Sequence, residues 1–307
     1  MPEKFYTFPE GAQAYIQTAE NEMAQVSYSL ERVTETFGIR WYDICHAKKS
    51  GDNYAPQQVL YLAPHSDDME ISGGVTTRAH VQRGDHVQEL LVTCGSAGRS
   101  NRGFSEKTMP IVRLWEAYRA AQIGEIQRLG VLHDLSEPEK LGLNEWFSDF
   151  PDGEYARLGV NLIRHYNPHI LYSPHPDVDV DGHPDHALTG EIAQWAAGWG
   201  TETDFYKDSF PATQTHLDSW RRYAVWEASE KLSANYYTAY DPSGPYAGDK
   251  MRRIEVFQSQ GGVNYAYSIL SRDEYVGGMN TVGNNKHLSY ESFNEIKSPI
   301  VDTPRWK

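Results

Sequence analysis

Short apolar runs alternate with amphipathic stretches through the middle of the chain. The runs at 59–63, 87–93 and 169–173 have the length and composition of strands buried on both faces. The intervening and following stretches have helical periodicity, at residues 70–82, 110–129, 155–166 and 185–199. Strands that alternate with helices predict an α/β protein with a doubly wound, mostly parallel sheet and helices on both faces.

The pattern is weaker towards both ends of the chain. Residues 11–37 carry apolar side chains at loose helical spacing and predict one helix, which Gly38 would end. Beyond the central pattern we expect a strand at 223–226, a helix at 250–259 and, from residue 277 onward, a polar tail with little periodicity. The predicted segments are a helical extension at 1–54, a central domain at 55–265 and a C-terminal extension at 266–307.

The composition narrows the class of protein. The 307 residues carry a formal net charge of −14 with no basic stripe to offset it, so nucleic acid is not an expected partner. No window approaches the roughly 20 apolar residues of a membrane helix, and residues 1–20 lack the apolar core of a secretory signal. Cys45 and Cys94 lie far apart and outside any paired-cysteine motif, which argues against a disulfide framework. We expect a cytoplasmic protein without membrane contact.

Two clusters of histidine and aspartate follow predicted strands. They are His65, Asp67 and Asp68 in one cluster and His183, Asp185 and His186 in the other. Ligands bind at the carboxyl ends of strands in open α/β sheets, so both clusters should face one crevice. Two imidazoles and a carboxylate suit a divalent metal, and catalytic zinc commonly keeps three protein ligands and one open position. We therefore predict a metal held by His65, Asp68 and His186, with zinc as the first choice and iron(II) as an alternative.

The other members of the clusters suit the chemistry of hydrolysis. Asp67, next to the ligand Asp68, can take a proton from the attacking water. His183 can donate to the leaving nitrogen or steady an oxyanion. Asp185 can accept a hydrogen bond from a metal-binding histidine.

Several short motifs extend this pattern along the chain. Residues 65–74 read His-Ser-Asp-Asp-Met-Glu-Ile-Ser-Gly-Gly, and residues 182–186 read Gly-His-Pro-Asp-His. The others are Thr93-x-Gly95-x-x-Gly98, Arg113-x-x-Glu116, Pro151-Asp152-Gly153-Glu154 and Lys250 followed by Ser259-Gln260. Together these motifs resemble those of the PIG-L/LmbE-type de-N-acetylases, over residues 58–260. The resemblance implies a Rossmann-like fold, zinc at His65, Asp68 and His186, and removal of an N-acyl group, above all N-acetyl, from an amino sugar or its conjugate.

Two positions depart from the family pattern. Ser66 stands where the family has proline, and Asp181 stands where some members have a tyrosine that assists the oxyanion. An ionised carboxylate cannot donate a hydrogen bond, so another group must assist the oxyanion, or the step relies on the metal and His183.

Three residues are candidates for contact with the substrate. Arg99 and Arg102 lie in a Gly-rich loop and can bind a phosphate or carboxylate, although solvated loop arginines are an equal alternative. Trp146 can stack on a sugar ring or pack in a lid.

Two other functions remain open at this stage. His65, Asp67 and His186 also fit a 2-His-1-carboxylate site of a non-haem iron(II) oxygenase, which would typically sit on an all-β barrel. A non-catalytic metal-binding scaffold is the second alternative, because Ser66 and Asp181 depart from the family pattern. The expected partner is a small amino-sugar-like molecule, and a homo-oligomer is compatible with the sequence.

Overall fold

The architecture comes from a computed structural model that describes most of the chain. The described residues are 11–46, 54–98, 103–136, 143, 153–202, 206, 210, 217–225, 229–279 and 289–297. The strands are β1 (Ser29–Arg32), β2 (Phe37–Asp43), β3 (Gln58–Ala63), β4 (His86–Leu91), β5 (Arg128–Asp134), β6 (Ile170–Pro174), β7 (Ser219–Tyr223), β8 (Tyr236–Tyr240) and β9 (Ser289–Lys297). The helices are α1 (Ala12–Met23), α2 (Asp68–Arg83), α3 (Met109–Gly124), α4 (Glu154–Tyr166), α5 (Val178–Asp181), α6 (Pro184–Trp199), α7 (Ser229–Leu232), α8 (Pro245–Glu255) and α9 (Val263–Met279).

One mixed sheet runs through the described part of the protein. Its strand order is β1-β2-β5-β4-β3-β6-β7-β9-β8. The strands from β5 to β7 in this order are parallel to one another, and the pairs that add β1, β2, β8 and β9 at the two edges are antiparallel. The chain leaves β3 towards β4 on one side and later returns as β6 on the other. The carboxyl end of β3 is therefore a topological switch point, where open α/β sheets form their crevice.

Helices cover both faces of the sheet, because the side chains of its central strands alternate between two cores. Val59 and Tyr61 of β3 point into a core shared with α1, α2, α3, α8 and α9. Leu60 and Leu62 point into a second core shared with α4 and α6. The predicted α/β class, with a mostly parallel central sheet and helices around it, is confirmed.

The predicted helix over residues 11–37 is only partly right. Helix α1 ends at Met23, and the rest forms the hairpin of β1 and β2. The Thr34 hydroxyl accepts the backbone N–H of Phe37 at 2.8 Å, and the N–H of Val33 donates to the Phe37 carbonyl at 2.9 Å, which closes the turn. Gly38 lies within β2 and not at a helix end, because this hairpin overrides the weak helical spacing.

The residues beyond 259 extend the sheet and one core. Helix α9 was not predicted, and strand β9 lies in the predicted polar tail. Both elements bring buried charges with them. The ammonium of Lys250 lies 2.6 Å from Asp273 of α9 and 2.8 Å from Glu291 of β9. Glu291 in turn accepts the N–H groups of Val75 and Thr76, just after the break that Gly73 makes in α2. The three-segment division at 54 and 265 stays a prediction.

None of the described helices combines the length and the apolar character that are needed to cross a bilayer.

Candidate metal centre and catalytic site

The two predicted clusters meet at the switch point. His65 and Asp67 lie between β3 and α2, and Asp68 is the first residue of α2. His183 precedes α6, and His186 lies in its first turn. Because β3 and β6 are adjacent and parallel, with Val59 opposite Ile170, the segments that follow them face the same crevice.

Three donor atoms in this crevice form a small triangle. His65 Nδ1 lies 3.1 Å from Asp68 Oδ2 and 3.2 Å from His186 Nε2, and His186 Nε2 lies 3.4 Å from Asp68 Oδ2. Ligand bonds of about 2.0–2.1 Å in a tetrahedral zinc site put donor atoms about 3.3–3.4 Å apart. The triangle therefore fits one zinc-sized cation without rearrangement.

A second grouping in the same crevice replaces the carboxylate with an imidazole. His65, His183 and His186 each offer a donor atom within 4.8 Å of the others. This grouping is looser than the triangle with Asp68, and one nitrogen of His183 is already engaged by a backbone N–H. The distances therefore favour the set of His65, Asp68 and His186 as ligands.

Each of the two histidines in the triangle has a carboxylate behind it. His65 contacts Asp185 through Nε2 at 3.1 Å, which is the contact predicted for Asp185. His186 contacts Asp181 through Nδ1 at 2.6 Å. The sequence did not indicate this role for Asp181, since only the fold brings the α5 terminus against the His186 ring. Such carboxylates fix the orientation of a metal-binding histidine.

The charges of the triangle are strongly coupled. Burial lowers the pKa of His65, but the Asp68 and Asp185 carboxylates outweigh burial and raise it to about 9. Burial is likewise outweighed at His186, where Asp68 and Asp181 raise the pKa to about 10. Burial opposes ionisation of Asp68, but His186 and His65 hold its pKa well below the usual range. The carboxylates of the site therefore concentrate negative charge. When no other cation is bound, protons on the two imidazoles compensate this charge.

Asp67 is held from both sides. Its Oδ1 accepts Arg113 Nη2 at 2.6 Å, and its Oδ2 accepts the Tyr265 hydroxyl at 2.9 Å. Burial and the nearby Asp67 and Asp68 charges raise the pKa of Tyr265 well above its ordinary value, so the phenol stays protonated and donates. Arg113 belongs to a motif noted in the sequence. Tyr265 comes from α9, far along the chain, and no sequence motif indicated its contact with Asp67.

Arg113 explains both the serine at position 66 and the glycines of the loop after β4. The Ser66 hydroxyl accepts Arg113 Nε at 2.9 Å, so it helps to hold the arginine that contacts Asp67. Gly95 has φ +69, and a Cβ there would lie 2.7 Å from Arg113 Cδ. A Cβ on Gly98 would approach Arg113 Nη1 to 3.2 Å. The loop needs these glycines because the arginine runs directly against its backbone.

His183 lies beside both histidines of the triangle. Its ring centroid is 4.7 Å from that of His65 and 4.8 Å from that of His186. Its Nδ1 accepts the backbone N–H of Asp185 at 3.2 Å, which leaves the proton of the neutral ring on Nε2. Burial and the neighbouring His65 and His186 charges lower the pKa of His183 to about 4. At neutral pH His183 is therefore a hydrogen-bond donor without a charge.

The three predicted substrate contacts cannot be placed on this geometry. Arg99, Arg102 and Trp146 lie outside the described residues.

The fold and the site define a class of protein. It is an α/β protein whose parallel sheet carries a histidine–carboxylate cluster at its switch point, with a separately held aspartate beside the cluster. Residues 60–197 match the family model of PIG-L, described as GlcNAc-PI de-N-acetylase. Over these residues the chain is therefore similar to the PIG-L family, which confirms the resemblance found in its motifs.

Comparison with individual proteins agrees with this family. The diacetylchitobiose deacetylase of Thermococcus kodakarensis is 31% identical over 156 residues, which cover 51% of this chain and 55% of the relative. The match thus spans about half the length of that curated relative. In fold, the protein resembles N,N'-diacetylchitobiose deacetylase from Pyrococcus horikoshii, with a TM-score of 0.63 at 18% identity over 81% of this chain and 88% of the other.

A hydratase shares the same architecture. The 4-carboxy-2-hydroxymuconate hydratase GalB from Pseudomonas putida KT2440 gives a TM-score of 0.57 at 15% identity, over 78% of this chain and 96% of the other. The fold alone therefore does not determine the reaction, which depends on the side chains of the site.

Proposed function

We propose that the protein is a divalent-metal-dependent hydrolase, with zinc as the first candidate metal, that removes an N-acetyl group from an amino sugar or its conjugate. The observation that carries the proposal is the triangle of His65 Nδ1, Asp68 Oδ2 and His186 Nε2, with edges of 3.1–3.4 Å, beside a buried Asp67. The substrate class follows the family description and the diacetylchitobiose deacetylase relative.

His65, Asp68 and His186 would hold the metal. What a zinc ion supplies at such a site is a lower pKa of coordinated water, from about 16 to about 7. Asp185 and Asp181 would keep the two imidazoles in the orientation that the ligand role requires.

Asp67 is the proposed general base. Arg113 and Tyr265 each donate to a different oxygen of its carboxylate, so the carboxylate keeps one orientation while a lone pair remains for the proton of the attacking water. Asp67 can then pass that proton to the leaving nitrogen. His183, neutral and protonated on Nε2, is placed to donate a hydrogen bond to the oxygen of the amide as negative charge develops there.

One observation weighs against each of the two alternative functions. Oxygenases with this arrangement of ligands typically have an all-β barrel, whereas the observed sheet has parallel central strands with helices on both faces. The scaffold hypothesis presupposes that Ser66 and Asp181 damage the site, yet both make hydrogen bonds that hold site residues in place. Contacts of Arg99, Arg102 and Trp146 with the substrate, a cytoplasmic location and a homo-oligomer stay predictions.

The proposed base can be tested by substitution. Asp67→Asn keeps the shape of the side chain but removes the basic carboxylate, so we expect turnover of an N-acetyl amino sugar to fall about 10²–10⁴-fold. Bound zinc, measured by atomic absorption, should stay at the wild-type level because Asp67 is not a proposed ligand. A variant that keeps wild-type turnover would refute the role of Asp67.

A further inference from the structure

A buried carboxylate at the end of α5 lies against the far side of the His186 ring. Asp181 Oδ2 accepts a hydrogen bond from His186 Nδ1 at 2.6 Å and another from the backbone N–H of Val225 at 3.0 Å. Only 5% of the Asp181 surface is exposed. Gly182, at φ +82, lets the chain turn sharply after Asp181 and enter the loop that carries His183. The carboxylate is therefore fixed by both its own helix and the segment after β7.

The contact determines which nitrogen of His186 keeps its proton in the neutral ring, the form in which an imidazole binds a metal. A carboxylate at Nδ1 requires the N–H on that nitrogen, which leaves the lone pair of Nε2 directed into the triangle. His65 has the opposite arrangement, since Asp185 lies at its Nε2 and Nδ1 belongs to the triangle. Each histidine thus directs into the triangle the nitrogen that does not contact the carboxylate behind it.

The charge of Asp181 is directed mainly at this one ring. Asp181 Oδ1 is buried and has no hydrogen-bond partner among the described residues. The ion pair found for Asp181 in that part of the chain is with His186. The carboxylate thus raises the basicity of His186, and with it the strength of the imidazole as a metal ligand.

We propose that Asp181 is a positioning residue that sets the metal affinity of the site by fixing the tautomer and orientation of His186. The inference rests on the metal site of the proposed function but not on the acyl substrate. It gives a role to Asp181, at a position where some members of the family have a tyrosine. It also couples the metal centre to the segment after β7 through Val225.

The test is the zinc affinity of the full-length chain, measured by competition with a chromophoric chelator. Asp181→Asn removes the charge and leaves an amide of the same shape, so we expect zinc to bind about 10–100-fold more weakly than to the wild type. The matched control is Asp179→Asn, which removes the same charge from an exposed position of α5. Its zinc affinity should remain within about twofold of the wild type, because solvent and salt screen the charge of an exposed side chain.

Each other result overturns the inference. Equal zinc affinities of Asp181→Asn and wild type would show that the contact does not affect metal binding. Equal losses of affinity in Asp181→Asn and Asp179→Asn would show that only the net charge of the region matters. If Asp181→Asn does not fold, Asp181→Glu keeps the charge but displaces the carboxylate, and unchanged zinc affinity in that variant would overturn the proposal. A wild type that binds no zinc would overturn both this inference and the proposed metal site. Absence of deacetylation with the predicted zinc affinities would contradict the proposed function alone.

Discussion

At the scale of single residues, the hydroxyl of Tyr265 is the contact that most directly tests how the proposed base is held. Tyr265→Phe removes the 2.9 Å hydrogen bond to Asp67 Oδ2 and leaves the ring packed against the core that α9 helps to form. One hydrogen bond to a charged group contributes about 1.5–3 kcal/mol, so we expect kcat to fall about tenfold or more while KM changes little. Steady-state kinetics on an N-acetyl amino sugar measures both constants.

The same helix supplies a control for this prediction. Tyr267 is 59% exposed, and Tyr267→Phe should leave kcat unchanged. In an Asp67→Asn background, Tyr265→Phe should have no further effect, because the tyrosine acts through that carboxylate. Additive losses in the double variant would mean that Tyr265 acts on something other than Asp67.

The residues of the site differ in how far the sequence could predict them. His65, Asp68 and His186 come close together because each lies next to the end of a recognisable strand or in the first turn of the helix that follows it. Their roles as ligands stay predictions. Tyr265 and Asp181 could not be predicted, because their contacts depend on how α9 and α5 pack and not on any local pattern.

At the scale of elements, the loop after β4 depends on the approach of Arg113 from α3. Gly95→Ala adds a Cβ 2.7 Å from Arg113 Cδ at a backbone position with φ +69. We expect a loss of about 1–3 kcal/mol in the free energy of unfolding, measured by denaturant titration. Turnover should also fall, because Arg113 holds both Ser66 and Asp67.

Gly198 in α6 provides the comparison for Gly95. A Cβ at Gly198 meets no atom within 4 Å, and the residue is helical. Gly198→Ala should leave the stability unchanged or raise it by up to about 1 kcal/mol. If Gly95→Ala behaved like Gly198→Ala, the close contact between the loop and Arg113 would not be a real constraint.

The helices and strands were predicted best where the hydrophobic pattern is strong. Helix α4 and strand β3 agree with the periodicity to within a residue or so, since their apolar faces match the two cores. Strand β5 was missed because its apolar run begins only a few residues after α3 ends. The predicted helix at 110–129 therefore continued through the turn to the start of this strand. Strand β9 was missed because it has few apolar residues: Phe293 packs into a core, but Glu291 is buried against Lys250, and periodicity does not reveal such a pair.

At the scale of the whole molecule, Glu116 of α3 forms hydrogen bonds with two segments that are far apart in sequence. It accepts the hydroxyl of Tyr15 from α1 at 2.9 Å, and it accepts both the N–H and the hydroxyl of Ser259, which precedes α9. Burial raises the pKa of Glu116 to about 7, although its hydrogen-bond donors oppose the shift. The N-terminal helix and the turn that leads to Tyr265 thus meet at one buried carboxyl group.

The raised pKa predicts a pH dependence of stability. The native protein binds the Glu116 proton more tightly than the unfolded chain, so this contribution is fully present below about pH 4.5 and is lost as the pH rises through about 7. Glu116→Gln cannot ionise. Between pH 5 and pH 8 the free energy of unfolding of the wild type should therefore fall by about 2–3 kcal/mol relative to that of the variant. Parallel denaturation results at the two pH values would show that Glu116 titrates normally.

The most direct test of the proposed function is release of acetate from a panel of N-acetylglucosamine conjugates by the full-length chain. We expect release by the wild type, loss of release after treatment with a chelator, and restoration by added zinc, with Asp67→Asn inactive at full zinc occupancy. The best substrate of the panel would also identify the sugar that the crevice accepts. Release that survives complete removal of the metal, or no release from any conjugate by the zinc-loaded wild type, would contradict the account.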